Sequence, residues 1–357
     1  MNIRQLFKTM VERESSDVFL SVNSKPRARI HGVVQEIADE VVTVKEMVRI
    51  AEAMIPDAAR KERFEKNKGV DFIHVEEDIG RFRVNMFIQR GTPALVARHV
   101  KSSVPSFEEL NLPGDLLRKF CDESSGMVLL CGPAGSGKST TIAAMLDHIN
   151  ETQNKHIVTI EDPIECLFQH KKSMINQREL DVDVMSYPEA LKHVTQQSPD
   201  MIYIGNIRDV DTMRAAITAT ELGTFVVSTF HTINAVQTIT RIVNFFPPYM
   251  HEEVLMQLSA ILKAVISLRL LPLKDGSGRI PAFETMVVTP AIAKMIREGK
   301  INEIQRFIDE GDLFGMQSFR QSLVRLVNDG FVSENDARRR ADSRDEFDLE
   351  MKGIQQI

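Results

Sequence analysis

One short stretch, "GPAGSGKST" from Gly132 to Thr140, constrains the fold more than any other part of this 357-residue chain. It matches the pattern G-x-x-x-x-G-K-[ST] and lies between an apolar segment, "GMVLLC", and a segment with helical spacing. Its glycines let backbone amides turn inward around a β-phosphate, and the next helix adds the dipole of its N-terminus. Because both flanking elements are present, a chance glycine-rich turn is the weaker interpretation. The stretch predicts a P-loop that binds ATP.

The residue types of this P-loop indicate their roles. Lys138 is expected to reach the β- and γ-phosphates, and Ser139 offers its hydroxyl to Mg²⁺. ATP and Mg²⁺ are therefore the expected cofactors. A P-loop alone does not decide among kinases, GTPases and motors. The predicted nucleotide-binding set is Gly132, Pro133, Ala134, Gly135, Ser136, Gly137, Lys138, Ser139 and Thr140.

Apolar strand-like segments alternate with helical segments from about residue 115 onwards. This pattern predicts an α/β domain with a mostly parallel sheet covered by helices on both faces. Each strand is expected to be followed by a helix. A helical tail with a hairpin signal at 274–278 completes this domain. The predicted strands are "GMVLLCG", "HIVTIED", "MIYIGN" and "TFVVSTFH".

Polar residues follow these strands at their carboxyl ends, where open parallel sheets bind ligands. "IEDPIE" places three carboxylates there, beginning with Glu161, and "STFHT" places His231 at the end of another strand. A lone histidine after an apolar strand is more often a structural residue. Several polar strand ends around one P-loop favour a functional role instead.

The segment "DMIYIGNIRD" raises a question about hydrolysis. The residue after such a strand is normally acidic in nucleotide-hydrolysing folds, because it must hold magnesium and its waters. Here that residue is Asn206, an uncharged amide. Asn206 is assigned to the metal site through a water.

Residues 1–100 predict a separate N-terminal domain with helices and a small mixed sheet. Within it, "GRFRVNMFIQR" alternates polar and apolar residues, so Arg81 and Arg83 fall on one face of a strand. The segment 101–114, "KSSVPSFEELNLPG", has the serine, proline and glycine content of a linker. The second domain is then 115–357.

Composition excludes several classes of protein. The net charge is −6, which does not favour nucleic acid as a partner. No apolar run approaches the roughly 20 residues that a transmembrane helix needs. The three cysteines have no paired spacing, so neither a disulfide framework nor a zinc site is implied. A cytoplasmic protein without a transmembrane segment is expected.

Several motifs together carry a family resemblance over nearly the full length: "GPAGSGKSTT", "IEDPIE", "NQRE", "PDMIYIGNIRD", "STFHTINA", "DGSGRIPAFE" and "TPAIAKMIREGK". The chain resembles the secretion and type IV pilus ATPases, and within them the pilus retraction branch, PilT and PilU. The four-cysteine zinc insert and long N-terminal extension of the assembly motors and type II secretion ATPases are not found in it.

The resemblance implies an architecture and a partner set. A PAS-like N-terminal α+β domain joins a RecA-like P-loop domain, and six subunits form a ring. ATP hydrolysis in that ring would act on an inner-membrane platform protein and remove pilin subunits from the fibre base, which drives twitching motility. The protein is accordingly expected in the cytoplasm, peripheral to the inner membrane at the base of the pilus machine.

The resemblance also implies residue roles. Glu161 matches the family's carboxylate for the attacking water, and His231 lies in its histidine box. Arg81 and Arg83 match N-terminal-domain arginines that complete the phosphate site, and Arg98 is a weaker match. The alternative for Arg81 and Arg83 is that they are ordinary solvent-facing residues of an alternating strand.

The sequence departs from the family at three polar positions: Asn206 stands where the family has Glu, Gln196 where relatives usually have Arg, and Leu268 where they usually have Gln. Two hypotheses follow. The chain is either a hexameric retraction motor with slowed hydrolysis, or a PilU-like accessory paralogue that binds nucleotide and docks to an active retraction motor.

The subtype stays open. "VPSFEEL" and the longer tail favour PilU, whereas the "AIxxxIREGK" helix favours PilT. A small-molecule kinase is disfavoured because no lid segment is present and the N-terminal domain is large. A nucleic-acid translocase is disfavoured by the acidic balance.

The helix in "TPAIAKMIREGK" has two interpretations. Its apolar positions Ile292, Met295 and Ile296 fall at helical spacing, which usually means core packing. The resemblance suggests instead that changes here impair retraction more than ATP hydrolysis.

Overall fold

The computed structural model describes residues 2–30, 32–100 and 104–353. The chain divides into two compact units, Met1–Ser103 and Val104–Ile357. This division lies within the predicted linker, whose first three residues, 101–103, are outside the described residues. The remaining linker residues belong to the second unit, because Phe107 is buried in one of its hydrophobic cores.

The first unit has a six-stranded sheet with the order β3-β2-β1-β6-β5-β4. Every pairing in it is antiparallel, so the expectation of a mixed sheet was wrong. Short turns join most successive strands, and a short turn can connect only antiparallel neighbours. The elements are α1 (Ile3–Glu12), β1 (Asp17–Ser21), β2 (Arg27–Ile30), β3 (Val33–Glu36), α2 (Val44–Met54), α3 (Ala58–Asn67), β4 (Gly69–Glu76), β5 (Gly80–Gln89) and β6 (Thr92–Val100).

Strand β5 shows the predicted alternation. Phe82, Val84 and Met86 are fully buried, and the Phe82 ring stacks on Phe7 of α1 at 4.0 Å between ring centroids. Since successive side chains point to opposite faces, the core contacts of Phe82 and Val84 fix the opposite direction of Arg81 and Arg83.

The second unit has a seven-stranded sheet with the order β13-β12-β7-β11-β10-β8-β9. The strands from β12 to β9 in this order are parallel, and only β13 at the edge is antiparallel to its neighbour. The mostly parallel α/β sheet is therefore as predicted. Its strands are β7 (Gly126–Cys131), β8 (His156–Glu161), β9 (Met174–Glu179), β10 (Met201–Ile204), β11 (Phe225–Phe230), β12 (Leu262–Pro272) and β13 (Arg279–Val287).

Helices cover both faces of this sheet and form separate hydrophobic cores on them. A further cluster lies between the β12–β13 hairpin and the C-terminal helices, with Phe319 and Phe347 buried in it. No helix in the described part of the chain is long and apolar enough to cross a membrane. The helices are α4 (Gly114–Cys121), α5 (Lys138–Thr152), α6 (Tyr187–Val194), α7 (Val210–Glu221), α8 (Ala235–Val243), α9 (His251–Ile261), α10 (Pro290–Arg297), α11 (Ile304–Asp309), α12 (Phe319–Asn328), α13 (Glu334–Arg340) and α14 (Arg344–Met351).

One connection differs from the expectation. Strand β8 is followed by strand β9 and not by a helix. Because β9 is an edge strand with one buried residue, Ile175, its sequence lacks the apolar run that marked the other strands. The predicted hairpin turn at 274–278 is confirmed, since it joins β12 to β13.

The apolar residues of helix α10 face the core of the second unit. Ile292 and Ile296 are fully buried in a core of the second unit, and Met295 packs against that core while partly exposed. The apolar stripe therefore packs inward. The outward face carries Lys294 and Arg297, both exposed.

We expect Ile296→Ala to destabilise the second unit by about 2–5 kcal/mol, because it removes a fully buried side chain from a close-packed core. Urea unfolding of the full chain would measure the change. Arg297→Ala, on the exposed face of the same helix, should change stability by less than about 0.5 kcal/mol. Equal effects of the two substitutions would contradict the inward packing of the stripe.

Candidate active site

The P-loop connects the fully buried strand β7 to helix α5, which begins at Lys138. Gly132 has φ 142°, and a Cβ there would lie 2.5 Å from both the Leu268 carbonyl oxygen and the Ser136 Oγ. Gly137 has φ 99°, in the left-handed region. Because L side chains rarely adopt these conformations, glycine is required at both positions. The tight loop places the amide end of α5 over β7, where a phosphate binds in this motif.

Lys138 folds back over this loop. Its ammonium donates to the carbonyl oxygens of Gly132 at 2.7 Å and Pro133 at 2.9 Å. An ammonium has three donors, so these two bonds leave one for a phosphate. Burial lowers the pKa of Lys138, whereas nearby Cys131 and Glu165 raise it.

The carboxyl ends of four parallel strands meet beside the P-loop. The Gly205 N–H donates to the Ile160 carbonyl at 2.8 Å, and the Thr229 hydroxyl donates to the Gly205 carbonyl at 2.6 Å. The Gly132 N–H donates to the Phe230 carbonyl at 3.3 Å, which joins the P-loop to β11. These contacts bring Glu161, Asn206 and His231, which follow or end their strands, to one edge of the sheet with the P-loop.

Glu161, at the end of β8, is 6 % exposed. Its Oε1 accepts hydrogen bonds from the Thr159 hydroxyl at 2.6 Å and the Gln177 amide at 3.1 Å. Burial raises the pKa of Glu161 to about 7, against the lowering effect of these donors. A carboxyl that titrates near neutrality is suited to take a proton from a water at physiological pH.

Asn206 contacts His231 directly. The Asn206 amide nitrogen lies 3.0 Å from His231 Nε2 and donates to it, so the imidazole proton is on Nδ1. The His231 ring is exposed but still partly removed from water, which lowers its pKa. The positive charges of Lys138 and Arg208 lower this pKa further. The contact therefore joins two uncharged groups.

The residues present fit a magnesium ion that keeps its waters. The Asn206 Oδ1 is buried and has no hydrogen-bond partner among the described residues. Mg²⁺ prefers oxygen ligands and usually retains several waters. The orphaned Oδ1 can accept a hydrogen bond from such a water, and the Ser139 hydroxyl at the start of α5 is the usual P-loop ligand.

The segment after His231 is anchored from two sides. The buried carboxyl of Glu284 on β13 accepts from the Ala235 N–H at 2.8 Å. The Thr232 and Thr238 hydroxyls lie 2.6 Å apart, and the Cys131 sulfur lies 3.1 Å from the Thr238 hydroxyl. This chain of contacts links the end of the P-loop strand to helix α8.

The predicted arginines belong to the first unit. Among the described residues, the side chains of Arg81 and Arg83 have no hydrogen bond or ion pair. Arg98 lies opposite Arg83 across β5 and β6, and its Nε donates to Asp17 Oδ1 at 2.9 Å. Arg98 is thus paired with a carboxylate of its own sheet, whereas the described residues give Arg81 and Arg83 no such pair.

Sequence reasoning missed Thr159 and Gln177. A signal for Thr159 exists, because residues two apart on a strand lie on the same face and Thr159 precedes Glu161 by two. Gln177 lies in the motif "NQRE" noted above, but its contact with Glu161 depends on the edge strand β9, which the sequence did not reveal. Leu268, one of the departures from the family pattern, is buried in an apolar core.

Comparison with known proteins shows the family of the chain. The family described as type II/IV secretion system protein matches residues 1–279. The type IV pilus retraction ATPase PilT of Pseudomonas aeruginosa is 39% identical over 347 residues, covering 97% of this chain and 100% of the relative. The type IV pilus ATPase PilU of the same organism is 35% identical over 352 residues, covering 99% and 92%.

A twitching motility protein of Neisseria gonorrhoeae is 41% identical over 340 residues, covering 95% of this chain and 90% of the relative. Among solved structures, the pilus retraction motor PilT with bound ADP superposes with a TM-score of 0.90 at 37% identity, covering 97% of this chain and 98% of that one. The chain therefore belongs to the type II/IV secretion system protein family and, within it, to the pilus retraction ATPases, which are P-loop ATP hydrolases.

Proposed function

We propose that this chain is a motor ATPase that drives type IV pilus retraction, and with it twitching motility. The observation that carries the proposal is a P-loop beside a buried carboxyl, Glu161, whose pKa of about 7 suits a general base. The motor is a hexameric ring in the cytoplasm that acts on an inner-membrane platform protein. The family membership and the superposition on a retraction motor support this assignment.

Each site residue has one task in the proposed reaction. The P-loop amides and Lys138 bind the β- and γ-phosphates. Glu161 takes a proton from the attacking water, and the neutral ring of His231 keeps Asn206 in place through their 3.0 Å hydrogen bond. Arg81 and Arg83 contribute positive charge to the phosphate site.

Magnesium would be held by the Ser139 hydroxyl and, through a water, by Asn206. When bound, it neutralises charge on the β- and γ-phosphates. Asn206 would accept a hydrogen bond from that water through its unpartnered Oδ1 but would bring no negative charge. Replacing a charge-assisted contact by a neutral one is worth about 1–3 kcal/mol, or roughly tenfold to a hundredfold in rate. Slow hydrolysis with nucleotide binding kept is the expected behaviour.

The same residue favours the second candidate. A paralogue whose metal site lacks a carboxylate can bind nucleotide and assist an active motor without rapid turnover of its own. The similarity to PilU over nearly the whole chain is compatible with such an accessory role. The steady-state ATPase rate of the purified protein, alone and with a partner retraction motor, separates the two candidates: turnover in isolation supports the motor.

Nucleotide affinity tests the P-loop assignment. We expect Lys138→Ala to abolish measurable ATP binding in titration calorimetry, because the ammonium that contacts the phosphates is lost. Lys171→Ala removes a lysine of the same unit that is held by surface carboxylates, and it should bind ATP as the parent does. Unchanged affinity in Lys138→Ala would refute nucleotide binding at this loop.

Turnover tests the role of Asn206. Asn206→Glu should raise kcat roughly tenfold to a hundredfold because it restores negative charge beside the metal. The new carboxylate should also raise the pKa of His231, which histidine NMR can follow. Glu161→Gln should remove the remaining activity. A parent rate as high as that of Asn206→Glu would show that the amide is harmless.

Assembly tests the ring. Light scattering with ATP should show a species near six times the chain mass of 40.4 kDa. Double charge reversal, Arg81→Glu with Arg83→Glu, should preserve folding, because both side chains lie opposite the core, and should lower ATP turnover. A monomer in every nucleotide condition would exclude the ring, and unchanged turnover would remove the two arginines from the site.

A further inference from the structure

Two side chains on the face of β8 and β9 that carries Glu161 form a small polar cluster with it. Thr159 precedes Glu161 by two residues on β8, so both side chains are on the same face of the strand. Gln177 lies directly opposite Thr159 in the parallel pairing of β8 with β9. The Thr159 hydroxyl and the Gln177 amide both donate to the same oxygen, Oε1 of Glu161, at 2.6 and 3.1 Å.

The direction of the Gln177 amide is fixed by the loop between β8 and β9. Its Oε1 accepts from the Phe168 N–H at 2.9 Å, and its Nε2 donates to the Cys166 carbonyl at 2.8 Å. Turning the amide over would oppose the nitrogen to an N–H and the oxygen to a carbonyl and a carboxylate. Gln177 therefore presents a donor to Glu161, and that donor cannot rotate away without breaking two other bonds.

The surroundings of Glu161 show what these donors do. Burial raises its pKa to about 7, while the Thr159 hydroxyl, the Gln177 amide and the backbone N–H of Glu165 lower it. The largest causes of its shift are burial, these three donors and the charge of Glu165. The titratable groups beside it include Glu165, Cys166, Tyr187 and Tyr203, and Glu179, which lies opposite Glu161 in the pairing of β8 with β9.

We propose that Thr159 and Gln177 are positioning residues for ATP hydrolysis, which hold Glu161 by its Oε1 so that Oε2 faces the attacking water. In that step a water O–H proton passes to Oε2 while the water oxygen bonds to the γ-phosphorus. The bond from that phosphorus to the bridging oxygen breaks, and ADP leaves with the electron pair. Glu161 then returns its proton to solvent. The proposal rests on the base role given to Glu161 above.

Removal of one donor tests this positioning. Thr159→Val keeps the shape of the side chain and removes its hydroxyl. We expect kcat at neutral pH to fall about tenfold with KM for ATP unchanged, because the lost bond is to the charged form of the base. Gln177→Leu should act in the same direction, and Thr159→Ser, which restores the hydroxyl, should recover the parent rate.

The pH profile separates positioning from simple loss of structure. A general base is active when unprotonated, so kcat should rise with pH through the pKa of Glu161. Without the Thr159 donor the carboxylate of Glu161 is less stable relative to its protonated form. The midpoint of the rise in kcat should therefore move up by about one pH unit. Carbon-13 NMR of labelled glutamates in nucleotide-free protein should show the same shift, assigned with Glu161→Gln.

A matched control is available. Thr220 is also buried, and its hydroxyl donates to the Ala216 carbonyl within helix α7. Thr220→Val should leave kcat and the pH midpoint unchanged. If Glu161→Gln loses turnover but Thr159→Val and Gln177→Leu keep the parent kcat and pH midpoint, the positioning role is overturned while the base role stands. Full turnover in Glu161→Gln would overturn both.

Discussion

The parallel pairing of β7, β11, β10 and β8 is the constraint on which the rest of the molecule depends. Parallel neighbours end at the same edge, so residues far apart in sequence reach one site. Hydrogen bonds between the strand ends fix their relative positions, as in the 2.8 Å bond from the Gly205 N–H to the Ile160 carbonyl. A Cβ on Gly205 would lie 3.3 Å from the Glu161 Cα and 2.9 Å from the Tyr187 hydroxyl, so a side chain there would require these neighbours to shift.

Much of this edge could be predicted from the sequence. The P-loop pattern identifies one strand end, and each further buried strand ends in a polar residue that the pairing brings to the same place. The local signals for β10 and β11 are strong because both strands are fully buried and read as continuous apolar runs. The sequence alone therefore predicts where Glu161, Asn206 and His231 lie, although their chemical roles remain proposals.

The rest could not be predicted because it depends on pairing between distant segments. The sheet of the first unit was expected to be mixed, since alternation reveals a strand but not the direction of its neighbour. Strand β9 has one buried residue, so its polar sequence did not identify it as a strand. The motif "NQRE" marked Gln177, but its contact with Glu161 could not be predicted without that strand. The capping of Ala235 by Glu284 likewise joins residues 49 positions apart.

Removal from water dominates the charge state of the site. It is the largest cause of the raised pKa of Glu161 and of the lowered pKa values of Lys138 and His231. In each case removal from water favours the uncharged form of the group. An enzyme that binds a negatively charged polyphosphate needs positive charge instead. The P-loop backbone meets part of this need with amide dipoles that burial cannot neutralise.

Asn206 also avoids charge, because a buried amide does not carry the cost of desolvating a carboxylate. The site therefore favours uncharged groups, and in the proposed mechanism its catalytic rate depends on how accurately neutral donors such as Thr159 hold Glu161.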